Sequence, residues 1–178
     1  MGWTTPRTWT AGERISALLL NEQLRDNLVA LKAPPSQAII RNNDGSYSTT
    51  STAFVPVDST NLTISLTTNG GDVMVGMMGV IAADNATGRQ MSFDVRVDGS
   101  GGWLADQGYG GGITTAVQST IGQLVNIGPL IISGLAAGNH TFTLLWRMSD
   151  GTGYLRSDQN DSNYRYNVPV IFWAREIS

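Results

Sequence analysis

The chain has 178 residues, no cysteine, one histidine (His140) and one lysine (Lys32), and only 14% of its residues are charged. Without cysteine there can be no disulfide staple, thiolate metal site or cysteine nucleophile, so stability has to come from packing or assembly. A lone imidazole cannot build a multi-histidine metal centre, and no cofactor is expected. The net charge of -3 and a pI near 4.9 argue against a nucleic-acid surface. No window approaches the roughly 18 uninterrupted apolar residues of a membrane span, so membrane insertion is not expected. The opening MGWTTPRTW lacks the basic start and apolar run of a secretory signal. The Asn-x-Thr triplets at Asn61, Asn85 and Asn139 therefore read as chance in a Thr-rich chain.

What is present is enough to fold. Apolar residues make up 41% of the chain, and a polypeptide of this length can bury roughly two-thirds of its unfolded surface. Composition divides it into three zones. Residues 1–11 hold Trp3, Pro6 and Trp9 in a Thr-rich setting without periodicity, which reads as an extended, aromatic anchoring arm. Residues 12–35 contain ERISALLLNEQLRDNLVALK, with Leu20, Leu24, Leu28 and Leu31 at helical spacing. Ser16 can cap this helix, and Ala33-Pro34-Pro35 stops it. Asn27 falls on one version of the leucine stripe, where a polar residue can set the register of a self-associating coil. Packing of the helix on its own domain is the alternative.

From Ser36 to Ser178 the chain is dense in Gly, Thr, Ser and Asn and reads as short strands joined by turns. Alternation is clear in Leu62–Leu66, in Met91–Val97 and in His140–Met148, each predicting a strand with one buried and one wet face. Recurrent turn signals fit about eight antiparallel strands, the count of a jelly-roll sandwich. Two runs, VMVGMMGVI (73–81) and VPVIFW (168–173), are apolar at every position and demand cover on both sides. A second copy of the chain could supply that cover, with Val73, Val75, Met77, Met78, Val170, Phe172 and Trp173 as the inter-subunit face. Gly76 and Gly79 would then admit the neighbour. A locally thick monomeric core is the other reading.

Nothing in the sequence looks catalytic. His140 has no G-x-S-x-G partner motif. Asp158, Asn160 and Asp161 lack the glycine and terminal glutamate of an EF-hand loop. Asp94, Asp98 and Asp106 fall where a strand face or a turn would place them, so no carboxylate pair faces a cleft by inspection. Gly108-Tyr109-Gly110-Gly111-Gly112 has no following helix and no Lys-Thr or Lys-Ser pair, and reads as a mobile loop rather than a phosphate cradle. Trp103 and Tyr109 lie in the 98–115 region as candidate receptor-contacting aromatics, or else as plugs at the end of the sandwich.

Two groups of residues carry a resemblance. Trp9-Thr10-x-Gly12-Glu13, followed by Leu20-Asn21-x-x-Leu24-Arg25-Asp26-Asn27-Leu28, resembles a leader found on small virion proteins of tailed bacteriophages. Ser133-Gly134-Leu135-Ala136-Ala137-Gly138-Asn139-His140-Thr141-Phe142-Thr143-Leu144-Leu145-Trp146, Gly151-Thr152-Gly153 and Phe172-Trp173-Ala174-Arg175-Glu176-Ile177 resemble the ending of the same proteins, which shades into the C1q and tumour necrosis factor group. The resemblance implies a non-enzymatic, homotrimeric jelly-roll protein of the virion, partnered by itself and by other virion proteins. A tail-associated, host-attachment role that meets a surface glycan or protein is the first expectation. A capsid decoration protein and a non-viral C1q-like or lectin-like binding module are the alternatives.

Overall fold

The computed structural model describes residues 4–42, 45–84, 88–117, 122–157 and 168–177. A helical rod comes first: α1 (Ala17–Leu20), a wider π-helical stretch (Asn21–Asp26) and α2 (Asn27–Lys32) run on from one another. The Ser16 hydroxyl accepts the Leu19 N–H at 3.2 Å and so caps the start. After Pro34 and Pro35 the chain becomes sheet. The strands are β1 (Ser36–Arg41), β2 (Ser46–Thr49), β3 (Val55–Pro56), β4 (Thr63–Thr68), β5 (Gly71–Ala83), β6 (Arg89–Val97), β7 (Ile113–Val117), β8 (Gln123–Leu135), β9 (Gly138–Met148), β10 (Gly153–Arg156) and β11 (Val170–Glu176). One helical turn, α3 (Trp103–Asp106), lies between β6 and β7.

Two antiparallel sheets result. The first runs β1-β11-β5, with β8 on the far side of β5 and β10 and β2 continuing beside its C-terminal half. The second runs β4-β9-β6-β7, with β3 also on β9. Apart from the short β2, β3 and β10, the long pairings are nested: β1 with β11, β4 with β9, β5 with β8, and β6 with β7. A hairpin of four nested pairs rolled into two facing sheets is a jelly roll. The mainly β, antiparallel jelly-roll sandwich expected from the turn spacing is the fold observed.

Period-two alternation loads the space between the sheets. Phe93, Phe142, Leu144, Trp146 and Met148 from the second sheet meet Val75, Met77, Ile81, Ile132 and Phe172 from the first, and all are at most 2% exposed. This placement corrects the inter-subunit face. Val73, Val75, Met77, Val170 and Phe172 are buried inside a single chain, 1% exposed or less. Only Met78 and Trp173 of the expected set sit on the alternate, outward side, half-buried. Because these runs are apolar at every position, composition could not separate the two sides.

The glycines are also corrected. A Cβ on Gly76 would lie 2.6 Å from Cζ2 of Trp173, and one on Gly79 would lie 2.9 Å from Leu155. The vacated space is filled by the chain's own side chains, not by a neighbour. The wet face expected on β6 is covered too, since Ser92 and Asp94 are 5% and 0% exposed. The 98–115 region is not a bare mobile loop: it contains α3 and the start of β7. Phe172→Ala is expected to cost about 3–5 kcal/mol of unfolding free energy in urea denaturation; a loss under about 1 kcal/mol would remove Phe172 from the core.

Candidate interaction surfaces

The arm does not project freely from the helix. Asn27, 5% exposed, accepts the Thr4 N–H at 2.8 Å and donates to the Thr4 carbonyl at 2.9 Å and the Gln23 carbonyl at 3.3 Å. Gln23 Oε1 takes the Arg7 N–H at 3.0 Å. The Arg7 guanidinium pairs with Glu13 and lies 5.0 Å from the Trp9 ring centroid. Two amides of the helix thus read the arm's backbone as a neighbouring strand would. This corrects the role of Asn27: its amide is spent on Thr4 and is not free to set a coil register. Pro6 and Trp9 join Ile15, Leu20 and Leu24 around a groove of ≈ 380 Å³. Trp3 lies outside the described residues.

With Gln23 and Asn27 committed to the arm, the neighbouring leucine row is left bare. Leu20, Leu24, Leu28 and Leu31 are 44%, 55%, 64% and 61% exposed. A four-residue spacing drifts around a 3.6-residue helix, and the wider turns of Asn21–Asp26 counter that drift. The helix is therefore not packed along its leucine stripe on its own sandwich, as the alternative reading would have it.

A second apolar surface lies on the outward side of the first sheet. Register places Ile40 beside Ile171 and Ile171 beside Met78, Trp173 over Gly76, Met74 beside Ile131, and Val80 beside Leu124. Ile40, Ile131 and Leu124 are 59%, 52% and 50% exposed. These three escaped the sequence reading. Ile39-Ile40, Leu124-Val125 and Leu130-Ile131-Ile132 are apolar at consecutive positions, so only strand pairing tells which of them faces out.

The 98–115 region separates its two aromatics. The Asp94 carboxylate accepts the N–H groups of Leu104 at 3.0 Å and Ala105 at 3.1 Å, capping α3 from the outward face of β6. Gly102 is pressed against that carboxylate, leaving no room for a side chain. Trp103 consequently packs against the core as a plug, which corrects its candidacy as a receptor contact. Tyr109 remains 68% exposed.

At the β8–β9 end, His140 Nδ1 lies 2.6 Å from Asp98 Oδ2 and Nε2 lies 2.8 Å from the Ala136 carbonyl. Both partners are acceptors, so the imidazole is satisfied when protonated at both nitrogens. The Asp98 bond and then the Ala136 bond raise the His140 pKa. Burial opposes ionisation of Asp98, but hydrogen bonds from Thr141 and His140 outweigh it and hold this carboxyl below its ordinary range. Asp94 is consumed as a cap and Asp98 as this tether. Among the described residues no group of three or more His, Asp or Glu is placed to hold a metal. Asn85, Asp158, Asn160 and Asp161 lie outside them. No described helix is long and apolar enough to cross a membrane.

The geometry defines a jelly-roll domain preceded by an arm-clasped helix with a bare apolar stripe. No family model and no curated protein matches the sequence. Solved structures with a similar course include infectious bursal disease virus of the Gt strain, with TM-score 0.45 and 12% identity over 82% of this chain and 38% of that one. The VP2 subviral particle of the same virus gives TM-score 0.41 and 14% identity over 80% of this chain and 37% of that one. The chain thus spans less than two-fifths of the length of either.

Two outcomes follow from these contacts. Asn27→Ala removes both bonds to Thr4 and should weaken arm docking by about 1–2 kcal/mol. It should also speed tryptic cleavage after Arg7; an unchanged cleavage rate would show that Asn27 does not hold the arm. For the His140–Asp98 pair, the His140 contribution is complete below pH 6.5 and is lost as pH rises through its raised pKa. The Asp98 contribution is present above pH 3.8 and is lost as pH falls through its lowered one. Urea midpoints should therefore decline above pH 6.5 in the native chain and less so in His140→Gln. Parallel profiles would dismiss the tether.

Proposed function

We propose that the chain is a virion structural protein of a tailed bacteriophage, self-associated as a homotrimer and tail-associated for host attachment. The observation that carries the self-association is the bare row Leu20, Leu24, Leu28 and Leu31, exposed while an adjacent side of the same helix is occupied by the arm. A short helix is marginal in water unless its apolar stripe is covered. Three parallel copies would cover each other, and the outward faces bearing Ile40, Met78, Ile171 and Trp173 could close against one another below the sandwiches. The leader motif around Trp9 and Leu20–Leu28 supports the bacteriophage assignment. The arm with Pro6 and Trp9, clasped on the helix, forms the particle-anchoring end, where aromatic anchors contribute most to binding. Tyr109, exposed in its glycine-rich loop, is the candidate receptor contact.

Light scattering should report about three times the 19.0 kDa chain mass. Leu24→Asp should lower the melting temperature in a concentration-dependent way. A monomer at micromolar concentration would overturn the trimer. Gold labelling of assembled particles should mark the tail, and label on the head would reassign the protein to capsid decoration.

A further inference from the structure

The outward face of the second sheet carries a polar groove of ≈ 380 Å³ that neither the core nor the surfaces above account for. Its floor is one cross-strand row. Ser92 on β6 stands between Thr114 on β7 and Arg147 on β9. Thr52, Gln90 and Ser149 add polar walls.

Arg147 is the unusual member. It is half-buried, and its guanidinium lies 4.8 Å from the centroid of the Phe54 ring. It makes no hydrogen bond or ion pair with any described residue. Arg89, next to the groove residue Gln90 in sequence, is already engaged by Asp84 and Asp150. Phe54 is itself fixed: a Cβ on Gly112 would lie 2.7 Å from its Cζ, and the Met148 N–H donates to Ser51 at 2.8 Å, holding that segment against β9. A guanidinium set against an aromatic ring is steadied by it while its N–H fork stays available, and that fork can engage a carboxylate bidentately.

The hydroxyl groups around it are ordered but not saturated. Ser92 and Thr114 share a bond of 2.9 Å, and Thr114 can donate onward to Gly111 at 3.2 Å, which leaves the Ser92 oxygen able to accept. The Thr52 hydroxyl and the Gln90 side-chain amide bond to no described residue. One unpaired cation beside several hydroxyl and amide groups complements one negative charge on a polyhydroxylated ligand. The single cation favours a carboxylate over a doubly charged phosphate.

We propose that this groove binds a saccharide bearing a carboxylate, with Arg147 on the acid and Ser92, Thr52 and Gln90 on the ring hydroxyls. The inference deepens the attachment role by naming the chemistry of the surface recognised, and it rests on that reading for its biological use. The test is isothermal titration of the full chain with a glucuronic-acid disaccharide, alongside the same disaccharide with glucose in place of the acid. The acidic sugar should bind and the neutral one should bind at least tenfold more weakly. Arg147→Gln should weaken the acidic sugar at least tenfold. The exposed double variant Thr52→Ala/Gln90→Ala, which leaves the core untouched, should weaken it severalfold and keeps the proposal testable if Arg147→Gln fails to fold. Equal binding of both sugars, no binding of either, or undiminished binding by the variants would overturn the site. A sugar-binding monomer would sink the trimer and keep the groove; a trimer blind to the acidic sugar would do the reverse.

Discussion

Burial of the aromatic and aliphatic side chains between two sheets, with Phe93, Phe142, Trp146 and Phe172 at its centre, is the interaction on which every other feature depends. It works because the long strands pair in a nested order, so that residues far apart in the chain arrive on facing sheets with their apolar alternates inward. β5 is the pivot. It is flanked by β8 along its length on one side and by β11 and β10 in succession on the other. Once β5 is placed, the outward positions of its neighbours are placed as well.

The consequence is an uneven distribution of apolar surface. The inward faces are closed within one chain, whereas Ile40, Leu124 and Ile131 remain at least half uncovered on the outward side of the first sheet, and the helix leaves its leucine row open. Scattered exposed leucines are ordinary, but here four stand in one row on a helix otherwise clasped by its own arm. The arm contributes by subtraction. By occupying Gln23 and Asn27 it engages two of the helix's polar side chains and leaves the leucine row exposed.

The second sheet divides its outward face between structure and recognition. Toward α3, Asp94 caps the helical turn, Trp103 is drawn down as a plug, and Leu145 is 1% exposed. Across the row Thr114, Ser92 and Arg147 the same face is polar, with the Arg147 guanidinium against the Phe54 ring and paired with no described carboxylate. The strands that stabilise the sandwich therefore also provide a rigid floor for the groove, a sounder basis for a binding site than the glycine-rich loop beside it.

Much of the fold was legible along the chain. The alternation in Leu62–Leu66, Met91–Val97 and His140–Met148 marks strands with a buried side, and Ser16 and Ala33-Pro34-Pro35 bracket the helix, because period and punctuation are local properties. Four things were decided only by tertiary structure. In VMVGMMGVI and VPVIFW every position is apolar, so only strand pairing could send Phe172 inward and Trp173 outward. Asn27 looked like part of a seam until folding brought Thr4 to it, and the choice between contact and plug for Trp103 stayed open until Asp94 captured α3. Arg147 acquires its neighbours from β6, β7 and the Phe54 segment, none of which is adjacent to it in sequence. A local pattern specifies which side chains alternate; which surface covers them depends on contacts between distant segments, and only the closed sandwich supplies those.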